Sequence, residues 1–183
     1  MNNLLSINIP VCENPSRVIQ FAIGNKEILA KYPVIVINKK GGEYLQSMGI
    51  STVYVLDTSD TFWEARRKGL SFVKTKYVLN LDVDTILPDG YIERAISWLE
   101  DCPKVGIVTI NYQKPYTQDH GAFGTSIMRT EEMRKLYHYN PTNYPHCQCE
   151  CKYMNTKVLN ADLGTLCLDL LALHLKEKMQ GDV

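Results

Sequence analysis

The sequence predicts an α/β domain with a mostly parallel central sheet flanked by helices, and three observations predict it. Strand-like and helix-like segments alternate along the chain. Val34-Ile35-Val36-Ile37 is wholly apolar, as a strand buried on both faces requires. Tyr77-Val78-Leu79-Asn80-Leu81, mostly apolar, ends abruptly in Asp82-Val83-Asp84. In an open α/β sheet ligands bind outside the carboxyl ends of the strands, so this run delivers two hard oxygen ligands to the edge where a phosphate would sit. With 183 residues, 45% hydrophobic and 22% charged, the chain fits one domain over 1–183 with a sizeable core.

The elements follow in order. Leu4 to Ile9 reads as a strand stopped by Pro10, and Asn14-Pro15-Ser16 punctuates the chain before a helix from Arg17 to Lys31. Val34–Ile37 is followed by Asn38 and a Lys39-Lys40-Gly41-Gly42 turn, then a short helix over 43–48. Thr52 to Leu56 is rich in β-branched residues, hence a third strand, and Thr58, Ser59 or Asp60 caps a helix that runs to Val73. The strand with the two aspartates is the fourth. After Pro88-Asp89-Gly90, the spacing of Ile92, Ala95, Ile96 and Leu99 makes Tyr91 to Asp101 a helix with one buried face. Val105 to Ile110 and Gly121 to Met128 read as strands, followed by a helix capped at Thr130 with Glu131 and Glu132 in its first turn. Tyr137 to Pro145 reads as a loop, Lys157 to Asn160 as a last short strand, and leucine-rich Leu163 to Gln180 as a closing helix.

Twenty basic and twenty acidic side chains cancel, so no global field argues for nucleic acid or an anionic membrane. A charged leader and a run of about 18 apolar residues are both absent, which reads as a soluble, cytoplasmic chain without a transmembrane segment. Among the six cysteines, Cys147, Cys149 and Cys151 alternate beside His146. On a strand, alternation would put the three thiols in one row with His146, Gln148 and Glu150 facing the other way. The spacing lacks the two-residue gap of zinc knuckles, which ranks small core side chains first, a disulfide second and zinc third.

Three segments in fixed order resemble one family, the nucleotide-sugar-dependent glycosyltransferases of GT-A fold, family 2 type. Ile7-Asn8-Ile9-Pro10-Val11-Cys12-Glu13-Asn14 resembles the family's opening strand and loop beside the nucleobase, Trp63-Glu64-Ala65-Arg66-Arg67-Lys68-Gly69-Leu70 its Ala-Arg-Asn-x-Gly helix, and Asp82-Val83-Asp84 its Asp-x-Asp. The chain departs from the pattern at Arg67, where the family has Asn, and at Asn38-Lys39-Lys40-Gly41, where it often has Asp-Asp-Gly-Ser.

The resemblance implies a Rossmann-like fold whose 1–85 half binds nucleotide and whose 86–183 half serves the acceptor. It implies transfer from a UDP- or GDP-sugar to a hydroxyl of a glycan, protein or lipid, dependent on Mn²⁺ or Mg²⁺ and with inversion. Asp84 is implied as direct metal ligand and Asp82 as ribose or metal contact. Pro10, Asn38 and Arg66 join the nucleotide site, and His174 is a further candidate for the metal. An inverting transferase needs a carboxylate to accept the acceptor proton. Met128-Arg129-Thr130-Glu131 resembles the Arg-x-Glu segment that precedes the family's base by some twenty residues, and counting forward reaches Glu150. Asp119 and Asp162 are the other candidates. Two rivals stand beside this reading. One is a nucleotide-sugar-binding module without turnover. The other is a haloacid-dehalogenase-type phosphatase, which Leu81-Asp82-Val83-Asp84-Thr85 resembles but whose nucleophile belongs on a first strand.

Overall fold

The computed structural model describes residues 4–10, 15–37, 39–54, 61–113, 122–140, 142 and 149–175. Among the described residues eight strands form one sheet: β1 (Leu5–Ile9), β2 (Val34–Val36), β3 (Thr52–Tyr54), β4 (Tyr77–Asn80), β5 (Thr85–Ile86), β6 (Val105–Tyr112), β7 (Ile127–Arg129) and β8 (Gly164–His174). Seven helices accompany them: α1 (Pro15–Gly24), α2 (Lys26–Lys31), α3 (Lys39–Ser47), α4 (Phe62–Phe72), α5 (Tyr91–Asp101), α6 (Thr130–Leu136) and α7 (Glu150–Asn160). The strand order is β3-β2-β1-β4-β7-β6-β8-β5. Four of the seven pairings are parallel, those of β1 with β2 and β4, β2 with β3, and β6 with β8.

The helices split between the faces. Val18 and Phe21 of α1, Leu29 of α2, Leu45 of α3 and Ala95 and Leu99 of α5 join Leu5, Ile7, Ile9 and Leu79 in one core. Ala65 and Leu70 of α4, Met133 of α6 and Tyr153, Met154 and Val158 of α7 join Ile35, Val78, Ile107 and Met128 in the other. Alternation along β1 explains the division, since Leu5, Ile7 and Ile9 face the first core and Asn8 faces α4. There Asn8 Nδ2 donates to the Arg66 carbonyl at 2.9 Å. A Cβ on Gly69 would lie 2.0 Å from Asn8 Oδ1, so the glycine that closes the Ala-Arg-x-x-Gly stretch lets α4 pack directly on β1.

The order reverses between β1 and β4, whose carboxyl ends lie side by side with Asn8 opposite Asn80. This switch point is where an open α/β sheet forms its ligand crevice. Pro10, buried, ends β1 at the same edge.

Several expected elements are corrected. The helix over 17–31 breaks at Asn25, whose Nδ2 donates to the Phe21 and Thr85 carbonyls while its Oδ1 accepts from the Leu87 N–H. The bonds with Thr85 and Leu87 staple the break to the β5 segment, while the Asn25 N–H still donates to the Phe21 carbonyl and its own carbonyl accepts from Leu29. Lys39–Gly42 is the first turn of α3, not a loop turn; burial of Leu45 outweighs two helical glycines at about 1 kcal/mol each. The cap of α4 is Thr61, whose hydroxyl donates to Glu64 at 2.6 Å. Instead of one strand over 121–128 there is a 3₁₀ turn at Phe123–Thr125 and then β7.

The largest misreading is near the chain end. Residues 157–160 are the last turn of α7, and Gly164–His174 is a strand, not a helix. Leucine favours helices, yet pairing with β6 from Val105↔Gly164 to Tyr112↔Ala172 decides the outcome. Buried Leu168 and Ala172 lie four residues apart, a spacing that fits a helix face and a strand face equally.

Candidate active site

The carboxyl edge of β4 gathers two groups of side chains around the two aspartates. Immediately after β4, the Asp82 N–H donates to the Gly124 carbonyl at 2.9 Å, and Leu81 N–H to the Asn8 carbonyl at 3.1 Å, which fixes the loop against β1 and the 3₁₀ turn. A Cβ on Gly124 would lie 1.8 Å from Asp82 Oδ2, so only glycine allows the carboxylate to sit there.

Asp82 faces inward. Arg66 Nη2 donates to its Oδ1 at 2.7 Å, and Arg66 Nε lies 3.0 Å from Glu150 Oε1. The Arg66 side chain is 1% exposed and Glu150 6%, whereas Asp82 keeps 36% of its side chain in solvent. The Tyr137 hydroxyl donates to the same Glu150 oxygen, and the Phe123 ring stacks on the Tyr137 ring at 5.6 Å with the Arg66 guanidinium 5.2 Å from its centre. Burial opposes the Arg66 charge, but Glu150 and Asp82 outweigh it and hold its pKa above the ordinary value. Burial pushes the Glu150 carboxyl up, with Arg66 opposing. Burial and then the Glu150 charge raise Tyr137, which therefore stays a phenol and a donor.

Asp84 faces the other way. Its Oδ2 lies 3.4 Å from His174 Nε2, delivered by the last residue of β8, and β5 pairs with β8 at Thr85↔His174 to hold the two together. The Tyr112 ring meets the His174 ring edge-on at 4.9 Å, and Thr85 Oγ1 donates to Asp84 Oδ1 at 3.4 Å. Both Asp84 and His174 are 24% exposed. Burial, then the nearby Asp82 charge, raises the Asp84 carboxyl above its usual range, against a lowering by His174 and Arg17. Gaining a cation would reverse that penalty.

A divalent cation fits this edge on the chemistry of its donors. Among the described residues no three His, Cys, Asp or Glu side chains form a closed metal cage. Mg²⁺ and Mn²⁺ sites that also take substrate phosphate need no such cage, since one or two carboxylates with phosphate oxygens suffice and imidazole is acceptable to Mn²⁺. Asp84 and His174 supply that partial set.

Of the other predicted residues, Pro10 lies at the edge, while Asn38 and Asp119 fall outside the described residues. Asp162 is at the opposite, amino edge, just before β8, where it is 88% exposed and ion-paired with Lys104. Cys149 caps α7, accepting from Lys152 N–H, and Cys151 lies within the helix, so the strand row of thiols does not form there. Cys12, His146 and Cys147 lie outside the described residues. Cys151 Sγ accepts from the Phe123 N–H, and burial pushes its thiol up to about 12. Tyr137, Gly124, Tyr112 and Thr85 were not foreseen. A buried arginine demands anions, so Arg66 on the apolar side of α4 was the available signal for its acidic partners. A cleft of about 660 Å³ between α2 and the start of α5, lined by Lys26, Lys31, Asp89 and Glu93 among others, includes none of these site residues.

A search of curated proteins returns no match. Among solved structures 296 chains match, so the fold by itself selects no substrate. One is the mannosyltransferase PcManGT from Pyrobaculum calidifontis, in complex with GDP-Man and Mn²⁺. It aligns at a TM-score of 0.78 and 14% identity over 96% of this chain and 58% of that chain. At that identity the likeness carries the fold, GT-A, and this chain spans 58% of the length of the structure it matches. The family model described as Glycosyl transferase family 2 matches residues 26–161, and with the GT-A sheet and its edge now described, the chain belongs to that family.

Proposed function

We propose that the protein transfers a sugar from a nucleoside-diphosphate sugar to an acceptor hydroxyl with inversion. The observation that carries this reading is the convergence of Asp84 and His174, from distant parts of the sequence, at the switch-point edge beside Asp82. In the reaction the acceptor oxygen attacks the anomeric carbon as the bond from that carbon to the diphosphate oxygen breaks. The nucleoside diphosphate leaves with the electron pair, and the hydroxyl proton passes to a carboxylate base.

Asp84 and His174 are the residues that would hold Mn²⁺ or Mg²⁺, with Asp82 directed to the ribose or to a cation-bound water. When bound, such a cation neutralises charge on the departing diphosphate oxygens. The chain's own contribution is to fix the edge. Arg66 and Gly124 hold Asp82 in one orientation, and β5–β8 pairing holds Asp84 against His174. Pro10 and Asn38 would border the nucleobase, where the Asn38 amide offers both a donor and an acceptor. The GDP-Man and Mn²⁺ complex of the structural neighbour makes GDP-sugars the first donors to test and UDP-sugars the second.

Calorimetric titration with GDP and UDP, with and without Mn²⁺, tests the donor site, and release of the nucleoside diphosphate from the matching sugar tests turnover. Metal-dependent binding with turnover supports the transferase. Binding without turnover favours a binding module, and no binding of either nucleotide overturns the site.

A further inference from the structure

Resting on that donor-site reading, we propose that Glu150 is a positioning residue, not the proton acceptor: with Tyr137 it anchors Arg66, and Arg66 aims Asp82. A general base must come within hydrogen-bond reach of the hydroxyl it deprotonates. Glu150 is 6% exposed, and its Oε1 is already met by Arg66 Nε at 3.0 Å and by the Tyr137 hydroxyl. Protonating it during turnover would also dissolve one of the two ion pairs of an arginine whose side chain is 1% exposed, a costly change in a buried site.

The same geometry supplies a role. Arg66 is held at its backbone carbonyl by Asn8 Nδ2, its guanidinium lies over the Phe123 ring with Nε ion-paired to Glu150, and Nη2 donates to Asp82 Oδ1 at 2.7 Å. Oδ2 of Asp82 rests against Gly124, where even a methyl group would not fit. The carboxylate is thus held at one oxygen by Arg66 and confined at the other by Gly124, while 36% of the side chain stays in solvent. Removing the Glu150 charge releases the far end of the clamp, and the effect arrives at the ligand only through Asp82. Residues that orient ligating groups in this way typically change affinity by about 10- to 100-fold.

A double-mutant cycle tests the proposal through affinity. Glu150→Gln, Asp82→Asn and the double variant are titrated with GDP and UDP in the presence of Mn²⁺, assayed for release of the nucleoside diphosphate from the matching sugar, and melted. The expected result is about a tenfold loss of metal-dependent affinity in Glu150→Gln and less than about twofold further loss when the change is made in Asp82→Asn. Unchanged affinity with abolished turnover would make Glu150 the base and overturn the proposal. So would additive losses in the cycle, or a lowered Tm with unchanged affinity, because a merely structural residue does not act through Asp82. If Glu150→Gln does not fold, Tyr137→Phe removes one donor to the same oxygen without altering charge. It then replaces Glu150→Gln in the cycle, where a loss of affinity that is not additive with Asp82→Asn supports the proposal and unchanged affinity or additive losses overturn it. Absence of metal-dependent binding in the wild-type protein would instead sink the donor-site reading and this inference with it, an outcome distinct from wild-type binding that the variants leave untouched.

Discussion

Asp82 and Asp84 are two residues apart on one strand end, yet their surroundings are opposite. Asp82 is tied through a buried arginine to a second buried carboxylate and a phenol. Asp84 meets an imidazole at the sheet edge and carries a raised pKa because burial and Asp82 act on it without a comparable counter-charge. Two like charges on one strand end would repel, and the fold answers this by pairing Asp82 with Arg66 and leaving Asp84 beside His174 with a raised pKa. The Asp-x-Asp motif thus divides into a member anchored by Arg66 and a member that meets an imidazole at the edge, the one proposed above to meet the cation. Asp82, the more exposed of the two at 36% against 24%, is held in place by its ion pair, whereas Asp84 is the more buried and lacks a comparable one.

The severest way to break this division is to remove the anchor. Arg66→Met leaves Asp82 and Glu150 without their shared cation, and breaking a buried ion pair from one side costs about 3–5 kcal/mol. Urea unfolding should show a midpoint well below that of the wild-type protein. A fall of less than about 1 kcal/mol would mean that solvent, not Arg66, neutralises the two carboxylates.

Removing Asp84 should do the reverse, sparing the fold and weakening ligand affinity. Asp84→Ala is expected to lower Mn²⁺-dependent affinity for the nucleotide by about 100-fold or more, since outer partners of a metal ligand alone are worth about 10- to 100-fold. Its melting temperature in metal-free buffer should not fall. Calorimetry with unchanged Mn²⁺-dependent affinity would remove Asp84 from the metal site.

Gly124→Ala sharpens the comparison because the atoms nearest the added carbon all belong to Asp82. The added carbon would overlap Asp82 Oδ2, so the carboxylate or the 3₁₀ turn must shift, at about 1–3 kcal/mol for an overpacked site. Unfolding and nucleotide titration together should show both a moderate loss of stability and a weaker site. Wild-type values in both would show that the 3₁₀ turn yields freely and that Asp82 is not clamped.

How much of this was legible in the sequence differs between the halves of the chain. Up to β4 the strands announce themselves by apolar runs, and Gly69 and the two aspartates stand at positions that a local pattern defines. Beyond β6 the information is not local. Gly164–His174 is a strand because β6 lies beside it, and a run of leucines looks alike in either state. In the site the same split recurs. Asp82 and Asp84 are visible as a motif and His174 as a candidate, but no neighbour in sequence reveals that the partner of Asp82 lies 16 residues earlier on α4 or that Tyr137 reaches Glu150. Nor does sequence separate Asp162, paired with Lys104 at the far edge, from Glu150 as an acid. Long-range pairing decides each of these, and a single sequence carries long-range pairing only through the residues' need for partners, as at Arg66.

The smallest effect is the most specific. Because burial and Asp82 raise the folded-state pKa of Asp84, the folded protein binds that proton more tightly than the unfolded chain, whose aspartates titrate near ~3.9. The stability contribution of the protonated group is therefore complete below the unfolded pKa and is lost as pH rises through the folded pKa. Asp84→Asn removes the charge and keeps the shape, so the metal-free variant should melt higher than wild type at pH 7, by about 2 °C or less for a chain of this size. The gain should vanish as the pH falls toward 4. Added Mn²⁺ should raise the wild-type melting temperature and leave the variant where it was, since only a folded state that binds the ion is stabilised by it. A variant that melts no higher at pH 7, or that gains as much from Mn²⁺ as wild type, would mean that Asp84 is no more strained than Asp82 and that the two aspartates are not divided as proposed.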